Sequence, residues 1–146
     1  MEKLSLKELQ PLILDWAREK NLLFEENAPK QKLKLIEECG ELASAILKND
    51  VKLQKDAIGD IFVVLVILNE QLGEKCSFST DFENNYPIEE SITNLIEQNV
   101  FNGVVGWPLF DVCRYLNLDL TECVNLAWNE IKDRKGKTVN GTFIKN

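Results

Sequence analysis

The sequence predicts an all-α fold: a helical bundle of four to six helices with a short irregular C-terminal tail, in one domain spanning residues 1–146. Three observations predict it. Apolar residues recur at helical spacing along most of the chain. The breaks between these runs carry capping residues, or prolines suited to the first turn of a helix. No internal repeat, low-complexity tract or interdomain linker interrupts the pattern. With 146 residues, 45% of them apolar and 28% charged, the chain is large enough for one sizeable core.

The first helix is expected to start at Ser5, with Glu8 three residues on in a capping-box pattern. Leu6, Leu9, Ile13, Trp16 and Ala17 form its apolar stripe, and Pro11 inside it predicts a bend. A break at residues 27–29 precedes a second helix, opened by Pro29 and running to about Lys48. Asp50 caps a third helix that ends near Gly73. Residues 74–87 read as a loop, and Pro87 opens a fourth helix carrying Ile88, Ile92, Leu95, Ile96 and Val100. After "FNGVVGWP", Pro108 starts a short helix with Leu109, Val112, Cys113 and Leu116. Asp119 and Glu122 form a second capping-box pattern before a last helix that runs to about Arg134. The tail holds turn residues and a short β-prone piece.

Charge and composition exclude several function classes. The net charge of -7 and pI near 4.7 disfavour nucleic acid and anionic membranes as partners. The chain has no histidine, which removes Ser-His-Asp and Cys-His nucleophiles, His-ligated zinc and Glu-x-x-His di-iron sites. Its four cysteines form no Cys-x-x-Cys pair, so a structural zinc site is not expected. The N-terminus does not read as a signal peptide, and the longest apolar run, residues 61–68, is too short to span a bilayer. The expectation is a cytoplasmic protein with reduced, mostly buried thiols. Chemistry is left to carboxylates, basic groups, amides and hydroxyls.

The carboxylates are arranged unevenly. Glu37, Glu38 and Glu41 fall within about 100° of arc on the second helix, opposite an apolar face. Alone, that fits a solvated face. The third helix carries Asp56 and Asp60 on one stripe, and beyond Asp60 it is apolar nearly all round. A carboxylate placed there needs a cation, either a basic side chain or a metal, because burying it unpaired costs several kcal/mol or raises its pKa. Gly59 beside it permits close approach by another element. If the short 49–54 connection folds the two helices antiparallel, four or five carboxylates converge. Oxygen-only ligands suit a hard divalent ion such as Mg²⁺ or Mn²⁺, and Mg²⁺ recruits phosphates. On the last helix, Asn125 and Asn129 flank the apolar stripe. Lys132, Arg134, Lys135 and Lys137 crowd its end, either as favourable helix termination or as a clamp for a triphosphate. Trp16, Trp107 and Trp128 suit a core better than a base-stacking role.

The "EECGE" of Glu37, Glu38 and Glu41, followed by "DAIGD" ending at Asp60, resembles the MazG-like family of all-α nucleoside triphosphate pyrophosphatases. The family pattern is Glu-Glu-x-x-Glu on one helix and Glu-x-x-Asp on the next. The resemblance covers residues 30–72, and "AWNEIKDRKGK" is similar to the closing helix of phage-type members. Residues 74–118 carry none. Ala57 stands where the family has its second-helix glutamate; Asp56, one residue earlier, is the substitute.

The resemblance implies hydrolysis of a nucleoside triphosphate between the α and β phosphates, with Glu38, Glu41, Asp56 and Asp60 as ligands of Mg²⁺ or Mn²⁺. It implies Glu37 as the group that orients or deprotonates the attacking water, or as a further ligand. Lys132, Arg134 and Lys135 would then hold phosphates, and Asn129 a sugar or phosphate oxygen. Assembly as a homodimer or homotetramer is implied too. Phosphoribosyl-ATP pyrophosphatase shares the family fold and is one rival reading; a non-enzymatic helical interaction module is the other.

Overall fold

The computed structural model describes residues 3–74 and 84–146. It contains α1 (Leu6–Glu19), a 3-10 turn (Glu25–Asn27), α2 (Ala28–Leu47), α3 (Val51–Gln71), α4 (Ile88–Phe101), α5 (Trp107–Leu116) and α6 (Leu120–Ile131). A hairpin of β1 (Gly136–Val139) and β2 (Thr142–Lys145) closes the described chain. The fold is all-α with a short two-stranded tail. Most of the expected 74–87 loop, residues 75–83, lies outside the described residues.

Local chemistry sets the helix boundaries. The Ser5 hydroxyl accepts from Glu8 N at 3.1 Å while Glu8 Oε2 accepts from Ser5 N at 2.9 Å, a complete capping box. Pro11 does not end α1, which continues through it to Glu19. Asp50 accepts from Leu53 N at 3.1 Å and starts α3. The second capping box is not formed. Asp119 caps Thr121 N, but Glu122 reaches across to Lys55 at 2.9 Å, because α3 offers it a cation. Asn21, Asn49 and Asn117 take the left-handed conformation just past α1, α2 and α5, the place where a helix favours Gly or Asn.

The centre of the molecule is α3, which packs against α1, α2, α5 and α6. Ala57, Ile58, Gly59 and residues 61–68 are all buried, so Asp60 is the single polar residue in a dry run. The three-residue connection 48–50 folds α3 back along α2, its most extensive neighbour. Among the described residues, no helix is long and apolar enough to cross a membrane.

The tail is more ordered than the sequence implies. β1 and β2 pair antiparallel with Val139 opposite Thr142, so the loop is Asn140–Gly141. Both loop residues have positive φ, 50° and 83°, the requirement of a two-residue primed turn that Asn-Gly meets at low cost. Phe143 packs edge-on against Trp16 with ring centroids 5.0 Å apart, and the Thr138 hydroxyl donates to the Lys20 carbonyl. These contacts supply the support that a lone hairpin lacks in water.

The contact between α3 and α6 depends on Gly59. A Cβ there would lie 2.3 Å from the Cys123 carbonyl oxygen and 2.8 Å from Ala127 Cβ. Gly59→Ala would gain about 1 kcal/mol of helix propensity but force two helix backbones apart. A net destabilisation of about 1–3 kcal/mol is expected, read as a lower denaturant midpoint with unchanged slope.

Candidate functional site

Glu37, Glu38 and Glu41 sit at i, i+1 and i+4 on α2, and one carboxylate oxygen of each lies within 4.8 Å of the others. Glu37 and Glu41 are exposed; Glu38 is buried, at 5% relative exposure. Its Oε2 is shut off from solvent with no hydrogen-bond partner among the described residues. A buried acceptor left unsatisfied costs about 1–3 kcal/mol, more when charged, so this oxygen is an acceptor with unused capacity. Among the described residues, the cation that pairs with Glu38 is Lys34 from the preceding turn, 3.3 Å away and hydrogen-bonded to Glu37.

Asp60 faces Glu38 across the same pocket, a cavity of about 550 Å³. Glu37, Glu38 and Asp60 form its acidic wall, and Lys30, Lys34, Arg134 and Lys145 bring positive charge. Trp16, Val64, Ile67 and Phe143 contribute an apolar wall. Arg134 pairs with Glu130 at 3.7 Å; among the described residues, no lysine or arginine forms an ion pair with Asp60. The reading of Asp60 as one half of a simple buried salt bridge therefore finds no partner.

Burial and crowding raise the proton affinity of both inward acids. Desolvation, then the charge of Asp60 and the neighbouring Glu41 carboxyl, push Glu38 up to about 7 against the pull of Lys34. Desolvation, then Glu130, raise Asp60 to about 6; Arg134 opposes this, and Asp56 and Glu41 add to it. Partial burial pulls Lys34 down, but its hydrogen bond to Glu37 and the charges of Glu38 and Glu37 outweigh that and leave it raised. An all-oxygen cluster with one orphaned buried oxygen and mutually repelling acids fits a hard divalent cation.

The remaining expected residues are less uniformly placed. Asp56 is half-buried one turn before Asp60 and off the pocket wall, though its charge acts on Asp60. Ala57 is buried at 3% exposure, inside the core. Of the basic cluster and its neighbour, only Arg134 lines the pocket. Asn129 donates to the Asn125 carbonyl at 2.9 Å, and Lys132 and Lys135 are exposed beyond that wall. Lys34, Glu130 and Phe143 belong to the site without having been expected. Lys34 was findable from its i, i+3 and i, i+4 spacing to Glu37 and Glu38. Glu130 shows the same spacing to Arg134.

The model of the MazG nucleotide pyrophosphohydrolase domain matches residues 28–84, which contain α2 and α3. The chain is also similar to an uncharacterized 18.2 kDa protein of the rep-hol intergenic region of Haemophilus phage HP1 (strain HP1c1). Identity is 33% over 160 aligned positions, covering 84% of this chain and 97% of that protein. No solved structure matches the chain.

The acidic pair makes stability depend on pH. Unfolded carboxylic acids lose their protons near pH 4, whereas folded Asp60 and Glu38 keep theirs to about 6 and about 7. Between those values the folded state binds more protons, so stability is full below about pH 4 and falls as pH rises through 7. Each tenfold change in proton affinity is worth about 1.4 kcal/mol. The metal-free protein should therefore melt several degrees lower at pH 8 than at pH 5, and Glu38→Gln should flatten about half of that slope in a thermal unfolding series, Asp60 carrying the rest.

Proposed function

The chain belongs to the MazG nucleotide pyrophosphohydrolase family, and we propose that it is a divalent-metal-dependent nucleoside triphosphate pyrophosphohydrolase. It adds water across the α–β phosphate anhydride and releases a nucleoside monophosphate and pyrophosphate. The observation that carries this reading is the buried Glu38 oxygen, unsatisfied among the described residues, clustered with Glu37 and Glu41 on α2 and sharing a pocket with Glu37 and Asp60.

Glu38, Glu41 and Asp60 would hold Mg²⁺ or Mn²⁺, with Asp56 as the fourth carboxylate, reaching the site through a water from its place behind the pocket wall. When bound, such a cation neutralises phosphate oxygens and lowers the pKa of a coordinated water. Glu37 is exposed and steered by Lys34, which suits it to orient the attacking water and accept its proton. Arg134 is the phosphate-binding group best supported by position, because it reaches the cavity between Asp60 and Glu130. Lys132 and Lys135 add positive potential where pyrophosphate leaves, and Asn129 contacts the sugar only after releasing its bond to Asn125. Exposed Leu33, Ile36 and Leu47 on α2 support self-association as a homodimer or homotetramer.

A panel of ribo- and deoxyribonucleoside triphosphates with Mg²⁺, with phosphoribosyl-ATP included, tests the reaction. Pyrophosphate release without orthophosphate is expected; orthophosphate alone would contradict the assigned bond. Glu38→Gln and Asp60→Asn should each lower the rate at least about 100-fold, and calorimetric Mg²⁺ binding should be lost. Asp56→Ala should cost closer to 10-fold. Glu38→Gln should also make the metal-free protein more stable, because it removes repulsion, so lost activity would not reflect misfolding.

A further inference from the structure

The cavity has two chemically different kinds of lining, and only the charged one is accounted for by the phosphate chemistry above. The other is an apolar wall assembled from three separate parts of the chain: Trp16 of α1, Val64 and Ile67 of α3, and Phe143 of β2. The hairpin is placed there by specific contacts. Gly136 has no room for a Cβ, which would lie 2.2 Å from the Ile144 carbonyl oxygen. Gly141, at φ +83°, comes down on Lys30 and Asn27, where a Cβ would meet Lys30 Cγ at 3.0 Å. Thr138 is tied to the Lys20 carbonyl. In β2, Phe143 is the one half-buried side chain, and it meets Trp16 edge-on at an interplanar angle of 69°.

We propose that the C-terminal hairpin completes a nucleobase subsite, in which Phe143 and Trp16 form the wall that takes the base of a nucleoside triphosphate while the acid cluster and Arg134 take its phosphates. The identity of the phosphate end rests on the reaction proposed above; the base end rests on the hairpin. A ligand that fills this cavity meets three carboxylates and four cations on its charged lining and an aromatic, apolar wall besides, and a volume of about 550 Å³ is in the range of small-molecule sites. Trp16 adds a polar reason. Its Nε1 is buried with no acceptor among the described residues, although buried indole N–H groups usually have one. The edge of a base carries carbonyl oxygens and ring nitrogens that accept such a bond. Aromatic walls bind bases through their π faces and tolerate different sequences of donors and acceptors.

The test compares calorimetric binding, in Mg²⁺, of non-hydrolysable α,β-methylene nucleoside triphosphates carrying each base with binding of inorganic tripolyphosphate. The chain should bind its best nucleotide analogue about 10-fold or more tighter than tripolyphosphate. Phe143→Ala should remove most of that advantage and leave tripolyphosphate affinity within about twofold. Phe143→Leu keeps an apolar anchor for the hairpin and should fall between the two, with an unchanged circular dichroism spectrum. Equal affinity of the wild type for nucleotide and tripolyphosphate overturns the subsite, as does equal weakening of both ligands by Phe143→Ala. A base-dependent affinity without pyrophosphate release from ordinary triphosphates would instead overturn the assigned reaction and support the subsite.

Discussion

Asp60 interrupts an otherwise continuous buried run on α3, and what surrounds that interruption organises the molecule. A carboxylate in such a place can be protonated, paired or bound to a cation. On α2 Asp60 meets further acids, Glu38 and Glu41, and the charge of Arg134 offsets only part of its raised proton affinity. The helix hairpin of α2 and α3 brings two acids, Glu38 and Asp60, to one pocket, and the short return of α3 along α2 sets them there. Stability and site are in opposition: the arrangement that raises both proton affinities is also the one that creates demand for a cation.

Around that opposition the fold supplies rigidity. The core side of α3 is fixed by α1, α2, α5 and α6, and α6 comes close enough at Gly59, immediately before Asp60, to leave no room for a Cβ. Asp60 is therefore held on a helix that cannot shift toward α6 without collision. Arg134 and Glu130, at the end of α6 and just beyond it, are set by the same contact. Position at the site thus depends on a missing side chain as much as on the charged ones.

Much of this was legible in the sequence. Capping residues or prolines at the start, with apolar stripes, place each helix because both report local physics, and Asp60 stands out because a charge inside an apolar run has a cost. The second capping box failed at Glu122, which found Lys55 sixty-seven residues away in sequence, a partner that no local pattern reveals. The basic cluster misled for a related reason. Lys132, Arg134 and Lys135 are neighbours in sequence, but the chain leaving α6 turns them in different directions, and only Arg134 meets the cavity. The hairpin was under-read because strands of four residues carry little periodic signal. Asn140–Gly141 was the available clue, and the partner that holds the hairpin, Trp16, lies at the opposite end of the chain.

Lys34 carries one more implication. It rides on the same helix as Glu37 and Glu38, so the acid cluster brings its own monovalent counter-ion wherever α2 goes. A potassium or sodium ion entering the cluster would merely exchange one single positive charge for another, and would have to outcompete a tethered group that never diffuses away. A doubly charged ion gains a full extra charge from the same exchange. A tethered ammonium would therefore bias the cluster toward doubly charged ions by valence, not by a cavity shaped to their size.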